Sequence, residues 1–548
     1  MTTTDQPILG TPAERAATPV ADVPARDAAR AAARATPAIT IGSLFRGIHP
    51  VLFAVYPILF LWAQNVGEAA PADVGDVLAA TFLAGLVVTA IAWAAFQDRA
   101  RGALFVAPII LGFMLYGHIA NFHIPEQALQ AGWMAVLAIT LVAALKLPDR
   151  WIDRADRALR ILAVVLVVIT LANILPTEIE EASTPRTIVA AGRTLPGTTT
   201  APKRDVYWLV YDRYGSDDAF DVGYDVQNDL TPWLREQGFD VLADSHANYV
   251  GTALSLSTTM NMTPLDELTK AVPKTSNSYQ PVYAQLQGSL VARQFQALGY
   301  RYLHLGSWWN PTRTDRSADR NYNADGVSDF TSAVLEESFV PILAEKFLPE
   351  ELPPTESAKH LKHNAWALNV LDGLPRESGP KFVFAHILLP HPPYVFDRDG
   401  RYIPPAEAVR IPEVDAWHRQ LDYTNSRLRA FIAGLLAKPE SERPIIILQA
   451  DEGPWPEKYG KDKYNFNWAT ATDREVRMKF GIMNAWYVPG GSEALELRQD
   501  QTAINTFAIL FDRYFGLDYP MQPDRIFASS WGRPYRSIEI TDRLTEAR

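Results

Sequence analysis

The chain has 548 residues and a formal net charge of −11, from 51 Lys+Arg against 62 Asp+Glu. That length predicts two or more structural units, and the mild acidity argues against a nucleic-acid binder, which would present a basic face. With no cysteine in the chain, a disulfide framework and a thiolate metal site are both excluded.

Residues 1–43 are rich in Ala, Thr, Pro and Arg and show little apolar periodicity. Such a composition cannot bury enough surface to fold alone, so a disordered cytoplasmic tail is expected, with a short Ala/Arg-rich helix near 25–35 as the alternative. Five apolar stretches follow, at 48–64, 77–96, 103–121, 129–147 and 158–176. Most approach the ~20 residues needed to cross a bilayer, which predicts a five-helix transmembrane domain over 44–176. Arg15, Arg26, Arg30, Arg34 and Arg46 lie in or close behind the tail, Arg99 and Arg101 follow the second stretch, and Lys146, Arg150, Arg154 and Arg157 follow the fourth. The connections 65–76 and 121–128 hold no Lys or Arg. This alternation predicts a cytoplasmic N-terminus and an extracytoplasmic C-terminal part, as in a multi-pass protein of the bacterial inner membrane. Residues 177–203, rich in Thr, Pro, Ala and Gly, read as a linker.

From 204 to 548 strand and helix patterns alternate. Strands are expected at Val206–Tyr211, Tyr300–Leu305, Phe382–Leu389 and Ile445–Gln449, and helices at Val291–Leu298 and Leu421–Leu436. That order predicts an α/β fold with a mainly parallel central sheet covered by helices. In such sheets ligands bind beyond the carboxyl ends of the strands. Three strand ends deliver polar residues there: Asp212, His391, and Asp451 with Glu452. The blander alternatives are helix capping by Asp212 and a capping pair at Asp451-Glu452. The segment around Gly251-Thr252 adds a hydroxyl at a predicted helix start, which suits either an anionic ligand or an ordinary cap. His386 reads as a core or supporting histidine, and His360 with His363 as a solvated helix face. Arg213, Trp308, Trp309 and Asn310 suit a substrate rim or plain packing.

The pieces DVYWLVYDRYG, NYVGTALSLSTTMNM, FVFAHILLPHPPYVFD and IIILQADEGP, in that order, resemble the alkaline-phosphatase/sulfatase superfamily. The branch most similar includes lipoteichoic acid synthases and phosphoethanolamine transferases, which also join about five membrane spans to an external catalytic domain. The resemblance implies a phosphoester transferase or hydrolase acting on an envelope phospholipid or glycan, with Thr252 as nucleophile. It also implies one divalent ion on Asp212, Thr252, Asp451 and Glu452, with His391 binding a phosphate oxygen or protonating a leaving group; Arg213 and Trp309 are the substrate-contact candidates from the strand ends. Glu452 stands where the family has histidine. An all-oxygen ligand set would favour Mn²⁺ or Mg²⁺ over Zn²⁺, while a degenerate site would leave a non-catalytic envelope-binding or scaffold protein. The segment after Thr252 lacks the Pro and Arg of a formylglycine motif, which argues against a sulfatase.

Overall fold

The computed structural model describes residues 45–120, 122, 124–183, 193–196, 199, 201–324, 326–348 and 355–545. The expected tail over 1–43 lies outside them, as does much of the expected linker.

Five apolar helices open the described chain: α1 (His49–Gln64), α2 (Pro71–Phe96), α3 (Arg99–Met114), α4 (Glu126–Lys146) and α5 (Asp149–Ser183). Three segments, Pro71–Phe96, Gln127–Lys146 and Asp149–Glu181, are long and apolar enough to cross a membrane. The helices α1 and α3 have 16 residues each. At ~1.5 Å per residue that is about 24 Å, short of the ~30 Å hydrocarbon layer. The expectation of five spans therefore holds by length for three, and the two short helices pack among them. Leu83, Ile91, Met134, Ile139, Ile161 and Ile169 are exposed on this bundle, the face an apolar solvent would cover. The last helix continues beyond position 176 to Ser183, taking in the start of the segment read as a linker.

The second unit is built on seven strands: β1 (Val206–Tyr211), β2 (Asp240–Val241), β3 (Arg301–Leu305), β4 (Arg320–Tyr322), β5 (Lys381–Ile387), β6 (Ile445–Gln449) and β7 (Asn484–Tyr487). They form one sheet in the order β2-β7-β6-β1-β5-β3-β4. Pairings β1–β5, β1–β6, β3–β5 and β3–β4 are parallel, and β7 alone is reversed, pairing antiparallel with β6 on one side and with the edge strand β2 on the other. The mainly parallel sheet matches the expectation. Its central strands are apolar along their length because helices cover both faces. All residues of β1, β5 and β6 are buried.

Alternation along each strand sorts the core into two layers. Tyr207, Leu209 and Tyr211 enter one cluster with Val383, Ile446 and Leu448. Val206, Trp208 and Val210 enter the other with Phe382, Phe384, Ile445 and Ile447, together with Leu256 and Met260 of the helix Thr252–Asn261. The two units meet directly. Phe330 and Val334, from the helix Asp329–Glu336, join a cluster with Ile58, Val77 and Ile110 of the apolar helices.

Candidate active site

Strand register decides which side chains meet. Val210 of β1 is level with His386 of β5 and Gln449 of β6. These three positions share a face, and so do positions two further on. Asp212 and Asp451 each lie two residues beyond, so the parity of the sheet sends Asp212, His386 and Asp451 to one side. The structure brings them together there: one donor atom from each lies within 4.8 Å of the others, and all three are buried. His386 Nε2 is 3.7 Å from Asp212 Oδ2. Asp212 Oδ1, Asp451 Oδ2 and His386 Nε2 lack hydrogen-bond partners. Buried polar atoms without partners are costly, and three converging lone-pair donors fit a divalent cation. The other ring nitrogen of His386, Nδ1, is 2.8 Å from the Thr312 hydroxyl, which turns Nε2 toward the two carboxylates.

Electrostatics point the same way. Burial pushes Asp212 up to about 7, opposed by Arg213 and aided by Glu452. Burial, then the charges of Asp212 and Glu452, push Asp451 up to about 8, against His386 and the Thr252 hydroxyl beside it. Burial drives His386 down to about 4, leaving a neutral imidazole with a lone pair to offer. Two carboxylates that resist ionising together are stabilised as anions by a bound cation.

Thr252 is the first residue of its helix. Gly251 before it has φ +86°, a left-handed backbone that glycine adopts without strain. A Cβ there would also come within 3.2 Å of the Trp531 ring. Asp212 is not a helix cap, since the Ser216 hydroxyl accepts from the Ala219 amide and caps the next helix.

Glu452 does not join the cluster. Its Oε2 lies 2.5 Å from Lys479 Nζ, and its Oε1 accepts from Trp455 Nε1 at 2.6 Å and lies 3.4 Å from Arg213 Nε. Burial opposes its ionisation, yet Lys479 and Arg213 outweigh that and hold the carboxyl below its usual range. Lys479 is itself buried and lowered to about 8 by that burial. Glu452 is thus committed to a buried ion pair, and His386 stands in the place expected of it. The imidazole nitrogen removes the all-oxygen ground for preferring Mn²⁺ or Mg²⁺ to Zn²⁺.

Arg213 links the cluster to a cavity of about 480 Å³, which Arg213, His391, Tyr394, Trp417, Trp455 and Glu356 help to line. Its guanidinium sits 3.5 Å from the centroid of the Trp455 ring. Burial, then Arg213 and His360, hold His391 well below the usual histidine range. His391 Nδ1 contacts the Pro392 carbonyl, so Nδ1 carries the hydrogen and Nε2 is the basic nitrogen. Trp309 is not part of that lining. It packs edge-on against His386 at 6.4 Å and Tyr283 at 5.6 Å between ring centroids.

Lys479 escapes the sequence reading, and His386 enters it only as a core or supporting histidine. Lys479 lies on a short helix, Asp473–Phe480, with no motif around it. His386 was legible through the period of two that it shares with Asp212 and Asp451. His360 and His363 are buried, against the expectation of a solvated face, because their helix packs on the sheet. His360 Nδ1 accepts from Trp308 Nε1 at 3.2 Å, and His363 Nε2 is 3.0 Å from the Gly306 carbonyl.

Fold and site together define an α/β domain with a buried cation-type cluster, joined to a bundle of apolar helices. No family model matches the sequence, and no curated protein matches it. Solved structures do match. The C-terminal periplasmic domain of EcEptC from Escherichia coli is 12% identical, with 63% of this chain and 97% of that one covered, at a TM-score of 0.38. The integral membrane protein lipooligosaccharide phosphoethanolamine transferase A from Neisseria meningitidis is 12% identical, with 85% and 95% covered, at 0.33. A protein in the alkaline phosphatase superfamily from Vibrio parahaemolyticus is 14% identical, with 61% and 74% covered, at 0.37. Overlaps of this degree assign neither activity nor substrate to this chain.

Proposed function

We propose that the protein is a membrane-anchored, metal-dependent phosphoester transferase or hydrolase acting on cell-envelope lipids or glycans outside the cytoplasmic membrane. The observation that carries this reading is the convergence of Asp212, His386 and Asp451 beside Thr252, at the edge of a cavity lined by Arg213 and His391. Asp212, Asp451 and His386 would hold a divalent ion, with Thr252 next to it. Such an ion lowers the pKa of a neighbouring hydroxyl and neutralises charge on a phosphoryl group.

The chain's own residues supply the remaining roles. The Thr252 oxygen attacks phosphorus as the bond to the leaving oxygen breaks, its hydroxyl proton passing by way of His391 Nε2 to that oxygen, which departs as the alcohol and leaves a phospho-threonine that a second alcohol or water then resolves. Arg213, held by Glu452 and stacked on Trp455, presents its guanidinium to the phosphoryl oxygens. His391, neutral with Nε2 basic, takes the proton from the incoming alcohol or water. Glu452 serves as the counter-charge of Lys479, which removes the reason to read the site as degenerate.

The test is turnover of a phospholipid with a fluorescent headgroup by the full chain in detergent, with Mn²⁺, Mg²⁺ or Zn²⁺ added in turn, beside Thr252→Ala. Turnover that requires one of the ions and is lost in the variant is the expected result. Equal turnover by the variant removes Thr252 from the role of nucleophile.

A further inference from the structure

The connection between α1 and α2 reaches the second unit through Gly67 and Glu68. There the Gly67 carbonyl accepts from the Tyr279 amide at 2.7 Å, and the Glu68 carbonyl accepts from Gln280 Nε2 at 3.2 Å. A Cβ on Gly67 would fall 2.2 Å from the Asn277 carbonyl oxygen, so the approach admits only glycine. The Glu68 carboxylate then does something a simple tether does not need. Its Oε1 accepts from the indole Nε1 of Trp531 at 2.7 Å and from the Tyr464 hydroxyl at 3.1 Å. Hydrogen bonds to an ionised oxygen are the strong and directional ones.

Trp531 is fixed on its other sides as well. Its amide donates to the Lys463 carbonyl at 2.9 Å, its carbonyl accepts from the Tyr279 hydroxyl at 3.1 Å, and the Lys463 ammonium lies 4.0 Å from the ring centroid. The ring edge then bears on Gly251, where an added Cβ would lie 3.2 Å from Cζ3. Gly251 is the residue before Thr252. The same ring lies 6.3 Å, between centroids, from Trp455, which binds Glu452 and lines the cavity. A continuous line of contacts therefore runs from the helix connection through Trp531 to the backbone turn that sets the Thr252 hydroxyl.

We infer that Glu68 is a positioning residue: the connection between the apolar helices completes the active site by holding Trp531 against the Gly251-Thr252 turn. The helix bundle then does more than anchor the domain, and turnover depends on it even for a substrate that never enters a membrane. This rests on the role of Thr252 proposed above. A displacement of a reacting group by about 1 Å costs up to about a hundredfold in rate, so a loosened Trp531 registers mainly in kcat.

The experiment uses the full chain in detergent micelles, bis(p-nitrophenyl) phosphate as a soluble phosphodiester, and the divalent ion that best supports turnover. Glu68→Ala and Trp531→Phe, which keeps the ring but not its N–H, are each expected to lower kcat about tenfold or more. KM should stay within about twofold and bound ion should be unchanged. Glu68→Gln, whose amide oxygen still accepts both hydrogen bonds, is expected to keep most of the rate. The double variant Glu68→Ala/Trp531→Phe should be no slower than either single one. Should Glu68→Ala fail to fold, Glu68→Gln against Trp531→Phe makes the same comparison. Wild-type kcat in Glu68→Ala, or an equal fall in Glu68→Ala and Glu68→Gln, overturns the inference while leaving the Thr252 reading intact. No turnover by the unaltered chain overturns both.

Discussion

Asp451 and Glu452 are neighbours in the chain, both acidic and both buried, and they live in opposite electrostatic regions. On the Asp451 side, two carboxylates and a neutral imidazole face one another, the Arg213 Nε stands off at 3.9 Å from Asp212 Oδ1, and the acids are pushed up to about 7 and about 8, chiefly by burial. On the Glu452 side, Lys479 and Arg213 supply cations, and the carboxyl is held below its usual range against the effect of burial. With all five groups ionised, three acids oppose two bases, and the surplus negative charge sits with the unpartnered lone pairs. Burial alone therefore does not decide what an acid does. One region finds its counter-charges within the chain, and the other calls for a ligand.

That contrast can be broken most strongly at Asp451. Asp451→Asn removes a charged donor from the cluster and is expected to abolish stoichiometric divalent-ion binding, with turnover falling by about a thousandfold or more. Elemental analysis of purified protein beside the phospholipid assay checks it. On the other side, Lys479→Met breaks a buried ion pair and leaves Glu452 with Arg213 as its remaining counter-charge, and breaking such a pair typically costs about 3–5 kcal/mol. Denaturant unfolding should show that loss, and the folded fraction should still bind its ion. A variant that loses the ion with Lys479→Met would merge the two regions into one.

A smaller effect separates the direct donors from their support. Thr312→Val keeps the side-chain volume and deletes the hydroxyl 2.8 Å from His386 Nδ1. Ion affinity is expected to drop about 10–100-fold, the usual range for such supporting contacts, as measured by titration with a competing chelator. The last effect is in pH dependence. Asp212 and Asp451 carry folded-state values of about 7 and about 8 against 3.8 for an ordinary aspartate carboxyl. The native state thus binds more protons than the unfolded state between about pH 4 and pH 8. Stability of the chelated protein falls as pH rises through that window. Thermal melts from pH 5 to 8 should show the decline, Asp451→Asn should flatten it, and a bound divalent ion should oppose it.

Much of this fold is legible along the chain. Val206–Tyr211 and Ile445–Gln449 form strands with the expected boundaries, because a short apolar run closed by acidic and turn residues has few other solutions. The apolar helices are legible by length and composition: α1 matches its stretch to within one residue, while α3 stops at Met114, short of the expected end at 121. Of the expected ion donors, Asp212 and Asp451 meet, Thr252 lies beside Asp451, and Glu452 turns away. His386 was readable in principle from the shared period of two along β1, β5 and β6. Seeing it requires knowing that those strands are neighbours in register.

Local sequence by itself determined where strands end in carboxylates, which segments are apolar enough for a membrane, and that Gly251 opens a helix at Thr252. These follow from periodicity and backbone preference, which act over a few residues. Only the tertiary structure decided that Glu452 belongs to Lys479, that His386 takes its place beside Asp451, and that Glu68 reaches Trp531. Those partners lie 27, 65 and 463 positions apart. No local rule links them, because register, sheet order and docking of the two units arise only when the whole chain has packed.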